Sequence, residues 1–388
     1  MSDRSKWGVW AVAFVWFTTH FGGGFASGRQ LVDFYVQYGW YAIFTPLISA
    51  GLITWVLYCA WSFSVKHGVY DYRSWSVAYY KPLGWLEPLF SGCIEVMYLI
   101  ILFMATGVAF STGGETLMQL APGLSYNVTT VGIAIFIFAL TIWGAETVRK
   151  AATVMAVLII GGMLVIYVSN LVVNFSALTA VVGSLPSANG GFWPAIWQSV
   201  KYAGLQCSLI GAYTAVADSL HDQSDVKKAT FIGFVVNAGV LLLAATGALS
   251  HYPAILDKTA IRLPITYITR HGGGGDAGMV IFSLVMLLAV ISTGVGLIYG
   301  GARRISTWWM KVTGATSSRK TDIASSAVYV AISWYIASFG LIQLIARGYA
   351  WVGILSTPLV VIPIILMAAF RGKLERSKAA VTEPAPEA

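Results

Sequence analysis

Charged residues are scarce in this chain. Asp, Glu, Lys and Arg make up 10% of its 388 residues, whereas hydrophobic residues make up 57%. A soluble domain of this length needs far more charge on its surface, so the composition excludes the soluble globular class. We therefore expect an integral membrane protein.

Cysteine and histidine are also rare, with 3 and 5 residues. Cys59, Cys93 and Cys207 lie in apolar stretches, which predicts reduced thiols and no disulfide framework. Only His20 lies within an apolar run, and neither a His-Glu-x-x-His pattern nor a Gly-x-x-x-x-Gly-Lys-Ser/Thr element occurs. We therefore predict no enzyme, no catalytic residues, no organic cofactor and no direct coupling to ATP.

Apolar runs long enough to cross a bilayer, about 20 residues each, recur along the chain. They predict an all-α integral membrane fold of about ten transmembrane helices. The predicted spans are 7–37, 40–64, 86–112, 127–145, 150–173, 193–218, 229–250, 277–305, 322–345 and 348–370.

The Lys and Arg residues are divided unequally between the two ends of these spans. Only Lys258, Arg262, Arg270 and Arg347 fall on one side. By the positive-inside rule the richer side is cytoplasmic, so both termini are predicted in the cytoplasm. The basic residues form no stripe or recognition motif, so we expect a lipid bilayer as partner and no nucleic acid. The tail 372–388 is predicted to be disordered.

Two loops are long enough for short helices of their own. An amphipathic helix is predicted over Tyr72–Tyr80, with Trp75, Tyr79 and Tyr80 as interfacial aromatics. A surface helix is predicted on the other side over Pro253–Arg270.

The first span is interrupted near mid-membrane by Gly22, Gly23, Gly24 and Gly28. Each glycine weakens a helix by about 1 kcal/mol relative to alanine, so the segment is expected to unwind. Unpaired peptide groups in hydrocarbon cost several kcal/mol each, so a break persists only where it is buried in protein or lines a polar cavity. The break therefore indicates a binding site.

A weaker interruption lies in the sixth span, where Gly204 and Gly211 bracket a polar stretch. Breaks in spans one and six occupy corresponding positions of two five-span halves, 1–173 and 193–371. Since five is odd, the halves have opposite orientations, the pattern of an inverted repeat.

With these breaks, the chain resembles the amino acid–polyamine–organocation (APC) superfamily, whose members share the LeuT-type 5+5 inverted-repeat fold with broken helices 1 and 6. The Gly-Gly-Gly-Phe-Ala-Ser-Gly string at 22–28 resembles a bacterial branch with a Gly-x-Gly-Phe-Ala-Ser-Gly first helix. This resemblance implies a place in the inner membrane of a bacterium. That branch continues with Gln-Glu, whereas this chain has Arg29 and Gln30, which adds a positive charge.

A sodium site is predicted where spans one and eight meet. Ala289 supplies a carbonyl, and Ser292 and Thr293 follow it at i+3 and i+4 on the same helix face. The resemblance implies first-helix carbonyl partners three residues apart, either Thr19 with Gly22 or His20 with Gly23. Alternatively, the two hydroxyls bond back to their own helix.

Candidate substrate-binding residues surround the two breaks, and each has an ordinary structural alternative. They are Gly22, Gly23, Gly24, Phe25, Ala26, Ser27, Arg29, Glu95, Tyr98, Tyr202, Gln206 and Cys207. Free N–H groups around Phe25–Ser27 suit an anion.

The charged and titratable members have particular alternatives. Arg29 attracts a carboxylate or pairs with Asp33 at i+4. Glu95 is a proton carrier, a ligand for an amine, a partner of Lys201 or a locally bonded side chain. His20 carries a coupled proton or stays neutral against a carbonyl.

These features favour a secondary active transporter with a small-molecule solute, acting as a monomer or homodimer. Sodium-coupled symport of an amino acid or related carboxylate is the leading prediction. The alternatives are a proton-coupled or uncoupled carrier of a small amine or aromatic solute, and, in another class, a membrane-embedded solute sensor or channel.

Overall fold

A computed structural model describes residues 3–187, 189–316 and 318–382. The described residues form helices and connecting turns, and no β-strand occurs among them. The predicted all-α fold is therefore confirmed.

The first part of the chain, up to Val173, contains eight α-helices. They are α1 (Asp3–His20), α2 (Gly23–Ala26), α3 (Arg29–Phe34), α4 (Thr45–His67), α5 (Tyr72–Tyr80), α6 (Glu87–Leu120), α7 (Tyr126–Ala139) and α8 (Ala145–Val173). The predicted first span is thus three helices in succession.

The remaining helices begin with a short one on the surface. They are α9 (Phe175–Ser184), α10 (Phe192–Cys207), α11 (Ile210–Ala215), α12 (Gln223–Leu249), α13 (Pro264–Thr269), α14 (Gly275–Thr313), α15 (Arg319–Ala337), α16 (Leu341–Gln343), α17 (Ala350–Ser356) and α18 (Ile362–Thr382).

Seven helical segments among the described residues are long and apolar enough to cross a membrane. Interrupted helices α1–α3 and α10–α11 do not qualify as single spans, so the count of ten stays a prediction. The predicted ninth span was too long, because α15 ends at Ala337 and α16 begins at Leu341. Helix α18 continues to Thr382, so the predicted tail is helical to that residue, and 383–388 lie outside the described residues.

Large apolar side chains cover the outside of the bundle. Trp7, Trp85 and Val172 are 77%, 86% and 75% exposed. Water would oppose such a surface, whereas hydrocarbon does not, so it suits a multi-pass membrane protein.

The bundle is held by close helix contacts. Helix α4 packs against α10 and α12, and α6 packs against α14 and α15. A Cβ added to Gly233 of α12 would lie 2.2 Å from the Trp16 ring of α1. Glycine at this position therefore lets α1 approach the bundle through a buried tryptophan.

The bundle has two faces, named here by their elements. The first face is where α1 begins, with Gly8 against Ser219 and with α5 nearby. The second face holds the loop 250–276, which includes α13. Chain direction places the start of α14 at the second face and its end at the first.

Helix α5 spans Tyr72–Tyr80 as predicted and begins at Asp71, whose carboxylate accepts a hydrogen bond from the Ser74 N–H. Its aromatics differ from the prediction, since Trp75, Tyr79 and Tyr80 are at most 2% exposed. They pack into the bundle rather than at the interface. The predicted surface helix over Pro253–Arg270 was also wrong in extent, because only Ala254–Leu256 and α13 are helical before Arg270.

Candidate functional site

The first break has two separate interruptions. Helix α1 ends at His20, and α2 is a single turn that starts after Gly22. Gly28 then adopts φ +74° before α3 begins. Because L-residues with side chains disfavour this left-handed region, glycine allows the second change of direction.

The second break is gentler. Helix α10 ends at Cys207 and α11 begins at Ile210. Ser208 has φ −64° and ψ −19°, and its N–H still donates to the Gly204 carbonyl at 3.1 Å. The chain here is a distorted helix, which explains why its sequence signal was weaker.

A cavity of about 590 Å³ lies between the two breaks. Residues of α1, α2, α3, α6, α8, α10, α11 and α14 line it, together with Tyr349. Beyond the breaks it continues along Leu209, Ala212, Gly296 and Gly300 toward the first face. Along this path Leu209, Ala212 and Gly300 are half-buried and Gly296 is exposed, whereas Phe25 at the opposite end is 1% exposed. The cavity is therefore open toward the first face and closed toward the second.

The structure brings ten predicted site residues to this cavity. They are Thr19, His20, Gly22, Gly24, Phe25, Tyr98, Gln206, Ala289, Ser292 and Thr293. Six others do not line it: Ala26, Ser27, Arg29, Glu95, Tyr202 and Cys207. The surroundings of Gly23 lie outside the described part of the structure. Tyr202 lies directly behind the lining, with its hydroxyl 3.0 Å from His20 Nε2.

Three of the predicted sodium ligands, Thr19, Gly22 and Thr293, lie close together at the cavity. A Cβ on Gly22 would lie 3.4 Å from Thr293 Oγ1 and 3.8 Å from the Thr19 carbonyl oxygen. The Ser292 hydroxyl forms no hydrogen bond with another described residue, so the predicted bonding back to its helix is not present there. The Gly22 carbonyl already accepts hydrogen bonds from the N–H groups of Phe25 and Ala26, at 2.9 and 3.2 Å.

Those two hydrogen bonds also correct an expectation about the first break. The N–H groups of Phe25 and Ala26 are satisfied by Gly22 and do not form an open anion site. Similarly, the Ser27 hydroxyl donates to the Gly24 carbonyl at 2.8 Å. Near the second face, the polar groups of the first break therefore already have hydrogen-bond partners within the break.

Arg29 lies outside the cavity, in a cluster that closes the second face. Its guanidinium is 3.3 Å from Asp33 Oδ1, and the same oxygen is 3.1 Å from Lys258 Nζ. Arg29 Nη1 also donates to the Ile261 carbonyl at 3.1 Å. The intrahelical pair considered from the sequence is present, and loop residues Lys258 and Ile261 extend it.

Helix α13 closes the same face by a backbone contact. The Ile265 N–H donates to the Ser27 carbonyl at 3.2 Å. A Cβ on Gly28 would lie 2.7 Å from the Ile265 nitrogen. Any side chain at Gly28 would therefore separate α13 from the first break.

Glu95 forms a different cluster, near the first face. Its carboxylate is 3.2 Å from Arg304 Nη1 and accepts a hydrogen bond from the Tyr72 hydroxyl. Arg304 also stacks on the rings of Tyr72 and Tyr98, 4.1 and 4.4 Å from their centroids. The partner of Glu95 is thus Arg304 and not Lys201 as considered from the sequence.

Three contributors were missed from the sequence. Gln30 and Tyr349 line the cavity, and Asn237 holds His20 from behind with Oδ1 2.9 Å from Nδ1. Asn237 was detectable, because an amide in the apolar middle of a span is a functional hypothesis by default. Gln30 could have been considered together with its neighbour Arg29, whereas nothing in the sequence around Tyr349 indicates a site residue.

The sequence matches no family model. It is similar to the uncharacterized membrane protein YkvI of Bacillus subtilis, with 23% identity over 314 residues, 79% of this chain and 83% of that protein.

Solved structures show the same architecture at low identity. The inward-facing conformation of Mhp1 matches with a TM-score of 0.64 and 13% identity, over 93% of this chain and 75% of that one. A substrate-bound, outward-open Na⁺-coupled sialic acid symporter matches with a TM-score of 0.58 and 12% identity, over 90% and 77% of the two chains. This chain has the LeuT-type fold. The predicted resemblance is confirmed at the level of that fold, and its solved examples here are transporters rather than enzymes.

Proposed function

We propose that the protein is a secondary active transporter that works by alternating access. The observation that carries this proposal is the cavity between two interrupted helices, open toward one face and closed toward the other. Helix breaks at a shared cavity hold solute in transporters built from inverted repeats. In this proposal 1–173 and 193–371 are the two repeats, and the first face is cytoplasmic by the positive-inside rule.

Sodium is the proposed coupling ion, at the junction of α1 and α14. The approach of Thr293 Oγ1 and the Thr19 carbonyl to Gly22 supports it, because a hard cation prefers several oxygen ligands. Sodium bound there would compete with the two N–H groups for the Gly22 carbonyl, so its binding would be linked to the position of α2. The description of one structural relative as a Na⁺-coupled symporter is in keeping with this choice.

The solute is a small organic molecule. An amino acid or related carboxylate is the prediction from family resemblance, while a small amine or ring-bearing solute is the alternative. Mhp1, described as a nucleobase-cation-symport-1 family transporter with bound bromovinylhydantoin, shows that this fold also accepts a ring-bearing ligand.

Proteoliposomes test the transport class. The purified chain is reconstituted and challenged with a labelled amino-acid mixture, labelled phenylethylamine and labelled uracil, under sodium or potassium gradients. Saturable counterflow of at least one probe, stimulated by sodium, is the expected result. Ohmic conductance would instead favour a channel, and binding without flux would favour a sensor.

The sodium site is tested by Ser292→Ala and Thr293→Ala. Both are expected to abolish sodium stimulation while the protein still folds, since the hydroxyls lie at the cavity surface. Ser283→Ala is the matched control, because Ser283 lies on the same helix but bonds to the Met279 carbonyl at 2.8 Å away from the cavity. Sodium stimulation that survives both site variants would contradict the assignment, and uptake that follows pH would point to a proton instead.

A further inference from the structure

A chain of hydrogen bonds runs from α12 to the cavity, and its direction is determined at one end. Asn237 Nδ2 donates to the Gly233 carbonyl at 2.7 Å, since a carbonyl can only accept. Asn237 Oδ1 therefore faces His20 Nδ1, 2.9 Å away, and must receive a hydrogen from it. His20 Nε2 then carries the lone pair and accepts from the Tyr202 hydroxyl at 3.0 Å.

This order holds for a neutral His20, the form that burial of the ring favours, since only 2% of the residue is exposed. With both ring nitrogens engaged, neutral His20 offers the cavity neither a charge nor a free donor.

Two carboxamide oxygens at the cavity have no partner among the described residues. Gln206 Oε1 and Gln30 Oε1 are both buried without a hydrogen bond. The two side chains are 5% and 4% exposed, and both line the cavity. A buried acceptor without a donor costs about 1–3 kcal/mol, so each oxygen favours a ligand that supplies an N–H or O–H group.

The Gln30 amide nitrogen packs over the first break. A Cβ on Gly24 would lie 3.0 Å from Gln30 Nε2 and 3.3 Å from Tyr349 Oη. The Gln30 oxygen is the unsatisfied atom of this side chain, as in Gln206.

The cavity offers little to an ion as solute. Among the described residues, no Asp, Glu, Lys or Arg lines it. The Phe25 and Ala26 N–H groups that would suit a carboxylate already donate to Gly22. Charge brought here would lose its hydration without an opposite charge from a side chain.

Aromatic rings form one wall. Phe17 and Phe21 lie 4.6 Å apart between ring centroids, and Phe21 and Phe25 lie 4.5 Å apart in an edge-to-face contact. All three line the cavity. Such a wall binds a ring or another apolar body by burial and edge-to-face packing.

We propose that the solute is an uncharged, ring-bearing molecule with at least two N–H donors, which Gln30 and Gln206 recognise through their side-chain oxygens. This assignment rests on the proposed transport function and chooses the ring-bearing solute over the amino acid.

Binding to the full chain in lipid nanodiscs tests the assignment with four compounds of one skeleton. They are 2-phenylacetamide, N,N-dimethyl-2-phenylacetamide, phenylacetate and 2-phenylethylammonium, measured by calorimetry. The primary amide is expected to bind at least tenfold more tightly than its dimethyl form, because methylation removes both N–H donors. Tighter binding of either ion, equal binding of the two amides, or no binding of the primary amide would overturn it.

Three variants assign the effect to the two oxygens. Gln206→Leu and Gln30→Leu should each weaken the primary amide about tenfold and leave the dimethyl amide unchanged, which a misfolded protein would not do. Gln119→Leu is the matched control, because Gln119 Oε1 is also buried and unpaired but lies outside the cavity lining. Equal weakening of both amides in the two site variants would contradict the proposal.

Counterflow separates this assignment from the transport function. Selective amide binding without flux of any probe would leave the site assignment intact and refute transport. Saturable counterflow of an amino acid, with no binding of the primary amide, would support transport and refute the assignment.

Discussion

The two faces of the bundle close the cavity to very different degrees. At the second face, the first broken helix contains the buried Arg29–Asp33 pair and is contacted by Lys258 and α13. At the first face, Glu95 and Arg304 join α6 to α14 beside the cavity, whose path remains lined by Gly296 and Gly300. Closure therefore depends on a few identifiable contacts with the loop 250–276.

These contacts differ from ordinary surface ion pairs in burial. Arg29 and Asp33 are 0% and 2% exposed, whereas Arg270 and Asp276 of the same loop region are 55% and 71% exposed. Removing one partner of a buried pair leaves an uncompensated charge, while exposed pairs contribute little. Single substitutions at the second face are therefore expected to reduce the difference in closure between the two faces.

The largest effect is expected for Asp33→Asn. It leaves Arg29 buried without its carboxylate and should lower the free energy of unfolding by about 3–5 kcal/mol. Asp276→Asn removes the carboxylate of an exposed pair and should cost about 0–1 kcal/mol. Denaturation of both variants in mixed micelles compares them, and equal costs would contradict the role given to the buried cluster.

A smaller effect is expected for Gly28→Ala. The left-handed backbone costs a residue with a side chain about 1–2 kcal/mol, and the added Cβ also meets the Ile265 nitrogen. Gly68→Ala is the control, since Gly68 has φ +65° with nothing within 4 Å of its Cβ. Gly28→Ala should cost more than the control in thermal unfolding and should slow counterflow, and identical behaviour of the two variants would show that the α13 contact is unimportant.

The last effect is confined to acid pH and concerns His251 in the second-face loop. Its Nε2 lies 2.7 Å from Asn170 Oδ1, and burial, with the nearby His271, lowers its pKa to about 4. Because the folded pKa lies below the ordinary 6.5, the stability contributed by neutral His251 is present above pH 6.5 and is lost as the pH falls toward 4.

Thermal melts between pH 7 and pH 4 measure that loss by comparing the parent with His251→Gln. The variant should show a shallower decline in melting temperature. A steeper decline in the variant would contradict a stabilising role for neutral His251.

Much of this architecture could be predicted from residues that are close together in the sequence. Four glycines in thirteen residues of an apolar span predicted the first break, and the i, i+3, i+4 spacing predicted that Ala289, Ser292 and Thr293 would share a face, which all three turn to the cavity. Asp71 at a helix start agrees with the predicted α5. These features depend on neighbours in sequence, which periodicity and capping describe.

Long-range partners could not be obtained in the same way. The choice of Arg304 rather than Lys201 for Glu95 joins residues 209 positions apart. The amide network of Asn237, His20 and Tyr202 likewise joins three distant helices. Trp75 and Tyr79 were assigned to the interface because amphipathicity does not distinguish a face toward lipid from a face toward protein.

Side-specific labelling of the cavity tests the central claim most directly. Ser292→Cys is placed in a chain whose Cys59, Cys93 and Cys207 are replaced, and a membrane-impermeant maleimide is applied to each face of oriented vesicles. Ile298→Cys, on the same helix but 0% exposed and outside the cavity lining, is the control for nonspecific reaction. Without solute, Cys at 292 should react from the first face alone, and Asp33→Asn should add reaction from the second. If the Ser292→Cys chain without Asp33→Asn reacts from neither face, or from both faces at once, the result would contradict a cavity that opens to one side at a time.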